Sequence, residues 1–287
     1  MRGPPGDRSP DALLEFGVVN LDKPPGPSAH QVAAWVRDMA GVDRAAHAGT
    51  LDPKVTGCLP MLLGDATRLA QVFDDSVKEY VAVLELHGPA PADFDAVVAE
   101  FEGEIYQKPP KKSAVVRRLR TRRVLDLDVL EAEDRQALFR IRCESGTYVR
   151  KLCHDIGLAL GTGAHMGDLR RVGTDPFDDT DLVTLQDFAD ALAWAEEGDP
   201  DPLGEVVVPA ERALVDLPSV TIAESAAREV AEGAPVYAPG VVEADEADEG
   251  ALVACCTPDG AAVCLGCFVG DPAAESGTVV DLERVLV

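Results

Sequence analysis

Asp52 stands inside the segment His47-Ala48-Gly49-Thr50-Leu51-Asp52-Pro53-Lys54-Val55-Thr56-Gly57. Gly49, Gly57 and Pro53 imply a tight loop that presents the carboxylate to solvent. A carboxylate so placed can do acid–base or nucleophilic work. It can equally be a turn aspartate that bonds its own backbone. Acid–base hydrolysis would need a second placed carboxylate, and no second motif of that kind is apparent. Cys255-Cys256 and Cys264-Leu265-Gly266-Cys267 raise another chemistry, a bound zinc. Neighbouring strand residues face opposite sides, so Cys255 and Cys256 make a poor ligand pair. The better reading is a hairpin with small buried thiols, Ala251 to Thr257 and Ala261 to Phe268, around the turn Pro258-Asp259-Gly260. The five histidines show no metal-ligand spacing, so no metal is expected. The seven cysteines are odd in number, which argues against a disulfide framework.

The elements that must position Asp52 follow from patterning. Gly17 to Leu21 reads as a strand running into the rigid turn Asp22-Lys23-Pro24-Pro25-Gly26-Pro27. Ser28 and Gln31 have capping-box spacing, and Val32, Trp35, Val36 and Met39 form a helical stripe that ends at Gly41. Cys58 to Leu63 is apolar and Tyr80 to Leu86 alternates like a strand. Phe94 to Phe101 looks helical. Ala137 to Cys143 is strand-like, and a helix follows from about Tyr148 to Leu160. Strands and helices mix without a βαβ rhythm, so the class is α+β. Glu196 to Glu205, acid-rich with Pro200 and Pro202, reads as a linker. Beyond Pro209, short apolar runs alternate with turn signals, the pattern of a small all-β barrel.

Composition bounds the rest. With 287 residues there is room for two domains. No stretch reaches the ~18 uncharged apolar residues of a membrane span, and Met1 to Pro10 lacks a secretory h-region, so a cytoplasmic protein is expected. Asp and Glu number 51 against 26 Lys and Arg, a net charge of −25. The acids are spread along the chain, which fits surface hydration in a salt-rich cytoplasm better than an ordinary acidic protein. Taken alone, this balance opposes a nucleic-acid partner. Residues 108 to 123, KPPKKSAVVRRLRTRR, run the other way, with eight basic residues and none acidic.

Five motifs, in order, resemble those of TruB-type pseudouridine synthases. They are Leu21-Asp22-Lys23-Pro24-Pro25-Gly26, Gly49-Thr50-Leu51-Asp52-Pro53, Lys78-Glu79-Tyr80, Gly146-Thr147-Tyr148-Val149-Arg150 and Gly167-Asp168-Leu169-Arg170-Arg171. Together they cover roughly residues 16 to 185. Tyr106 to Val115 is similar to the archaeal and eukaryotic dyskerin branch. Leu217 to Ile222 and Gly233 to Val241 resemble a PUA domain. The resemblance implies a pseudouridine synthase fold, a mainly antiparallel mixed sheet with flanking helices, followed by a PUA barrel. It divides the chain into an N-terminal arm (1–15), a catalytic domain (16–195), a linker (196–210) and a PUA domain (211–287).

The chemistry it implies is isomerisation of uridine to pseudouridine in RNA, with no cofactor. The N1–C1′ bond breaks, the base rotates, and C5 joins C1′. Asp52 becomes the catalytic carboxylate, acting at the sugar as glycosidase carboxylates do. Arg150 is expected beside it, holding it ionised and oriented. Tyr80 is expected to stack on the uracil and assist proton transfer, and His47 to hold the flipped nucleotide. Lys23 and Leu169 match pocket positions, where a structural role and a direct one are equally open. Lys108, Lys111, Lys112, Arg117, Arg118 and Arg120 belong to a thumb loop that closes over RNA. Implied partners are guide H/ACA RNA, rRNA, tRNA and small accessory proteins of the H/ACA particle, with no membrane. A non-catalytic RNA scaffold is the alternative; the presence of Asp52, Tyr80 and Arg150 disfavours it.

One feature runs against the resemblance. From Glu211 to Val287 there are 15 acids, three arginines and no lysine, a net −12, where an RNA-binding domain is normally basic. Salt suppresses phosphate–cation attraction anyway, so recognition is expected to rest on guide pairing, shape and stacking. Guide-RNA affinity should therefore persist in molar KCl; binding confined to dilute salt contradicts this.

Overall fold

The computed structural model describes residues 1–109, 116 and 118–287. Lys111, Lys112 and Arg117 lie outside the described residues. Helix α1 (Pro10–Glu15) leads into strand β1 (Gly17–Lys23), followed by α2 (Ala29–Ala40), β2 (Ala45–His47), β3 (Thr56–Leu63), β4 (Lys78–Leu86), α3 (Phe94–Ala99), β5 (Gly103–Gln107) and β6 (Arg120–Ala132). Then come β7 (Gln136–Cys143), α4 (Val149–Ala159), β8 (Ala164–Thr174), β9 (Phe177–Asp178), α5 (Leu185–Glu196), α6 (Asp201–Val206) and β10 (Val208–Pro209). These strands form one sheet in the order β10-β1-β3-β8-β4-β7-β6-β5, with β2 on β3 and β9 on β8. Within this sheet, the β3–β8 pairing is the parallel one among the described strand pairs. The sheet is therefore mainly antiparallel, as expected.

Local signals set the helix that precedes the loop of Asp52. Ser28 and Gln31 make the capping box in both directions, at 3.2 and 2.9 Å, and Gly41 closes α2 with φ 63°. The expected stripe needs one correction. Ala29, Val32, Ala33 and Val36 are buried, whereas Trp35 is 45% exposed. The i, i+3, i+4, i+7 set starting at Ala29 leaves Trp35 off the inward face.

The second sheet comprises β11 (Ser219–Ile222), β12 (Val236–Tyr237), β13 (Val241–Ala244), β14 (Leu252–Cys256), β15 (Ala262–Phe268) and β16 (Thr278–Val285), with helix α7 (Glu224–Ala231). The expected hairpin is β14–β15, and it places Cys255 opposite Cys264. Residues 196–210, expected as a linker, are ordered onto the first sheet. Leu203 and Val207 are buried, and β10 pairs with β1 through Val18↔Val208.

One apolar cluster joins the two sheets, with Phe16, Val18, Leu62 and Leu69 on one side and Ala254, Leu265 and Leu286 on the other. The short N-terminal arm reinforces this junction. Arg2 donates to the Leu286 carbonyl and to Asp65. Arg8 forms a two-pronged pair with Glu211 at 2.7 and 2.5 Å, and Glu211 also accepts from the Ala262 amide at 3.0 Å. Among the described residues no helix is long and apolar enough to cross a membrane.

Two measurements test these energetics. The Arg8 side chain is 2% exposed and Glu211 12%, so Arg8→Ala strands a buried carboxylate. Its unfolding free energy should fall by about 3 kcal/mol in urea titrations run in molar KCl; an unchanged value refutes the buried pair. Lys78, 4% exposed, has its pKa pushed down from 10.5 to about 7, first by burial and then by Arg171. Between those values the unfolded chain holds the extra proton, so rising pH favours folding by up to ~1.4 kcal/mol per unit. Wild type should thus gain stability relative to Lys78→Met as pH rises from about 7 towards 10.5. A pH-independent gap between the two proteins would contradict it.

Candidate active site

The loop between β2 and β3 carries Asp52, and its anchors explain why that side chain faces outward. Leu51 and Val55, on either side of it, are both 4% exposed and belong to the main core. The Val55 amide donates to the Asp52 carbonyl at 3.0 Å, and the Gly26 amide to the Pro53 carbonyl at 2.8 Å. At Gly57, φ is +96° and a Cβ would lie 2.1 Å from the Arg171 carbonyl oxygen. Only glycine lets β3 approach β8 so closely. The exposed carboxylate anticipated from the framing glycines and proline is what the fold presents.

Arg150, the second residue of α4, reaches this loop. Its Nη2 pairs with Asp52 Oδ2, and both side chains are 53% exposed. Tyr80 sits on β4, where Lys78, Tyr80, Ala82, Leu84 and Leu86 alternate inward. Burial pushes the Tyr80 hydroxyl pKa up; the nearby Arg171 guanidinium opposes that. His47 ends the short strand β2. Its ring meets His30 edge-on at 4.8 Å. Burial, then His30, then Arg171 lower its pKa, which favours the neutral imidazole. Its Nδ1 is buried with no hydrogen-bond partner among the described residues.

Two residues at expected pocket positions are buried. Lys23 is fully buried, and its ammonium donates to the carbonyls of Pro24 (3.0 Å), Pro53 (3.0 Å) and Val55 (2.8 Å). Its three donors are thereby used, and it fastens the loop to the turn after β1. Leu169 is 8% exposed in the main core, where it packs apolar neighbours.

Among the thumb residues, Lys108 and Arg118 are exposed, and Arg120 donates to the Val116 carbonyl at 3.3 Å. Lys108 and Pro109 line a cavity of about 530 Å³ together with Arg150, Lys151, His154, Ala164, His165 and Met166. Lys108 and Pro109 therefore border the helix that supplies Arg150.

Sequence reasoning missed Arg171 and Lys78. Arg171 is 1% exposed, the largest fully buried side chain among the described residues. It donates from Nε to the Cys58 carbonyl at 2.7 Å and from Nη2 to Ala48 and Gly49 carbonyls at 3.4 and 3.3 Å. Lys78 donates to the Phe73 carbonyl at 3.1 Å and to Ser76 Oγ. A signal was available in both strands. Alternation puts Leu169 and Arg171 on one face of β8, and Lys78 and Tyr80 on one face of β4.

The site can do one kind of work well. A solvent-facing carboxylate, paired with a guanidinium, stands on a loop whose flanking residues Leu51 and Val55 are anchored in the core. Among the described residues, no three His, Cys, Asp or Glu side chains are grouped to hold a metal ion.

Known proteins share this arrangement of the chain. Residues 37–92 match the TruB family pseudouridylate synthase N-terminal domain, 150–215 the tRNA pseudouridylate synthase B C-terminal domain, and 218–273 the PUA domain. The "Probable tRNA pseudouridine synthase B" of Haloarcula marismortui is 67% identical over 294 residues, spanning 100% of this chain and 94% of that protein. Its namesake from Methanopyrus kandleri is 46% identical over 291 residues, spanning 99% and 86%. Among solved structures, a chain of a Cbf5-Nop10-Gar1 complex superposes with a TM-score of 0.94 at 44% identity, covering 100% of this chain and 89% of that one. A chain from an H/ACA RNP bound to a substrate RNA containing 2′-deoxyuridine gives 0.92 at 43% identity, covering 99% and 89%. With similarity running through both sheets and nearly the full length of its relatives, the chain belongs to the TruB family of pseudouridine synthases, isomerising uridine to pseudouridine in RNA, and carries a C-terminal PUA domain.

Proposed function

We propose that Asp52 is the carboxylate that performs the isomerisation, with Arg150 as its partner and Tyr80 beneath the target base. The ion pair between Asp52 and Arg150 carries this reading. It joins two segments distant in the chain at an exposed position, where such a pair adds little stability, ~0–1 kcal/mol. It is therefore better explained by chemistry than by folding. With the uridine extruded, the Asp52 carboxylate faces the ribose. Loss of uracil from C1′ leaves an electron-poor sugar, and Asp52 either bonds C1′ or removes a ribose proton to give a glycal. The freed uracil turns, C5 attacks C1′, and the C5 proton is replaced by one on N1. Atoms and electrons balance without an oxidant. The Tyr80 ring offers the stacking surface and its hydroxyl a proton relay.

The wider setting follows the relatives. Structures similar to this chain are of archaeal Cbf5 with Nop10 and Gar1, and of an H/ACA RNP with substrate RNA. Curated relatives carry the name tRNA pseudouridine synthase B. This chain accordingly works with guide RNA and small accessory proteins, on the tRNA T-arm loop by itself, or in both settings, from the cytoplasm of a halophile. Residues 1–15, 16–195, 196–210 and 211–287 serve as arm, catalytic domain, connection and PUA domain. The exposed Lys108 and Arg118, with the half-buried Arg120 beside them, contact the RNA backbone.

Asp52→Asn should lower product formation by more than about 10³-fold while leaving RNA affinity nearly unchanged, read by single-turnover conversion and by filter binding. Wild-type turnover in that variant would refute the assignment and favour a non-catalytic scaffold. Assays on tRNA and rRNA fragments with and without guide RNA separate the two settings.

A further inference from the structure

Arg171 is a buried cation with no carboxylate against it. It is 1% exposed, and among the described residues it has no salt-bridge partner. A second cationic side chain, Lys78, lies in the same place; a Cβ on Gly49 would stand 3.3 Å from Arg171 Nη1 and 3.7 Å from Lys78 Cε. Desolvating a guanidinium costs several kcal/mol unless its donors are met. Here the acceptors are neutral oxygens, and their placement is selective. Ala48 and Gly49 precede Asp52 in its loop, and Cys58 follows it in β3. Tyr80 stands directly opposite Arg171 in the β4–β8 register, and both side chains point inward. One rigid planar group thus gathers both ends of the loop of Asp52 beside the side chain of Tyr80. Its backbone is set between the same strands, opposite Gly57 on one side and Tyr80 on the other.

We propose that Arg171 is a positioning residue for the isomerisation, holding the Asp52 loop and the Tyr80 hydroxyl in one fixed frame through its buried guanidinium. This rests on the reading of Asp52 and Tyr80 given above. Arg171 touches neither RNA nor the reacting atoms; it acts through the two groups that do. Its fork is the feature required, because a lysine in the same place offers a point charge that cannot span a strand carbonyl, a loop and a phenol at once. Chemistry responds steeply to such placement, since an error near 1 Å in a reacting group costs ~10²-fold in rate.

The test uses the full chain with substrate RNA and its guide. Arg171→Lys keeps the charge, and Arg171→Gln removes it while relieving repulsion with Lys78. For each, single-turnover rate at saturating RNA, RNA affinity and urea unfolding are measured beside Asp52→Asn and Tyr80→Phe. Both Arg171 variants should lose ~10²-fold in rate, bind RNA within about threefold of wild type, and unfold cooperatively. Combining Arg171→Lys with Tyr80→Phe should cost less than the product of the two losses, because the contact between them is already gone. Wild-type rate in either Arg171 variant, strict multiplicativity, or loss of cooperative unfolding in both variants would overturn the proposal. An inactive Asp52→Asn beside a fully active Arg171→Lys rejects Arg171 alone, whereas an active Asp52→Asn rejects the underlying site.

Discussion

The carboxylate of Asp52 meets the guanidinium of Arg150 across the gap between a loop and a helix that enter the fold far apart in the chain. A half-exposed pair cannot hold two such segments together, because water screens it and side-chain entropy offsets most of its attraction. The scaffold must deliver both ends. On one side Leu51 and Val55 sink into the core and leave Asp52 outside. On the other, Leu152, Cys153 and Ile156 bury one face of α4, and Gly157 lets that helix press on Ala164 of β8. The pair is thus a consequence of packing, and its distance is set by the sheet rather than by its own energy.

Beneath the loop the fold uses cations where an apolar core would be cheaper. Lys23, Lys78 and Arg171 are buried and are met by backbone carbonyls and hydroxyls. Carbonyls of a loop have no ladder to satisfy them, and a buried donor solves that shortage at the cost of its own desolvation. Lys23 takes the Pro53–Val55 side and Arg171 the Ala48–Gly49 side. A loop rich in glycine and proline is by this means made as rigid as the strands beside it.

Charge is partitioned as sharply as burial. The basic residues from 108 to 123 stand out from a chain of net −25, and Lys108 lines a cavity with Arg150 and His154 of α4. The acidic C-terminal sheet is fastened to the first by apolar contact, with Arg2 and Arg8 of the arm at the seam. The excess of acids elsewhere suits a hydrated anionic surface, in keeping with relatives from Haloarcula and Halobacterium.

Local order could be read directly from residue types. The capping box at Ser28 and Gln31, the stop at Gly41, the alternation of β4 and the β14–β15 hairpin each depend on neighbours within a few positions, so short-range sterics and hydrogen bonding decide them. The outward face of Asp52 belongs to the same class, since Gly49, Pro53 and Gly57 shape its loop. Other features needed the assembled molecule. Trp35 lies off the buried face because the core selected the stripe starting at Ala29. Lys23 turned inward, and Arg171 with it, because carbonyls from distant segments converge there, and no local pattern reports where long-range acceptors will gather. The stretch after Glu196, polar and proline-bearing, became an ordered edge of the sheet because β1 left a strand edge for Val208 to pair. Which charged groups are buried is a property of three-dimensional neighbours, and only the tertiary structure supplies them.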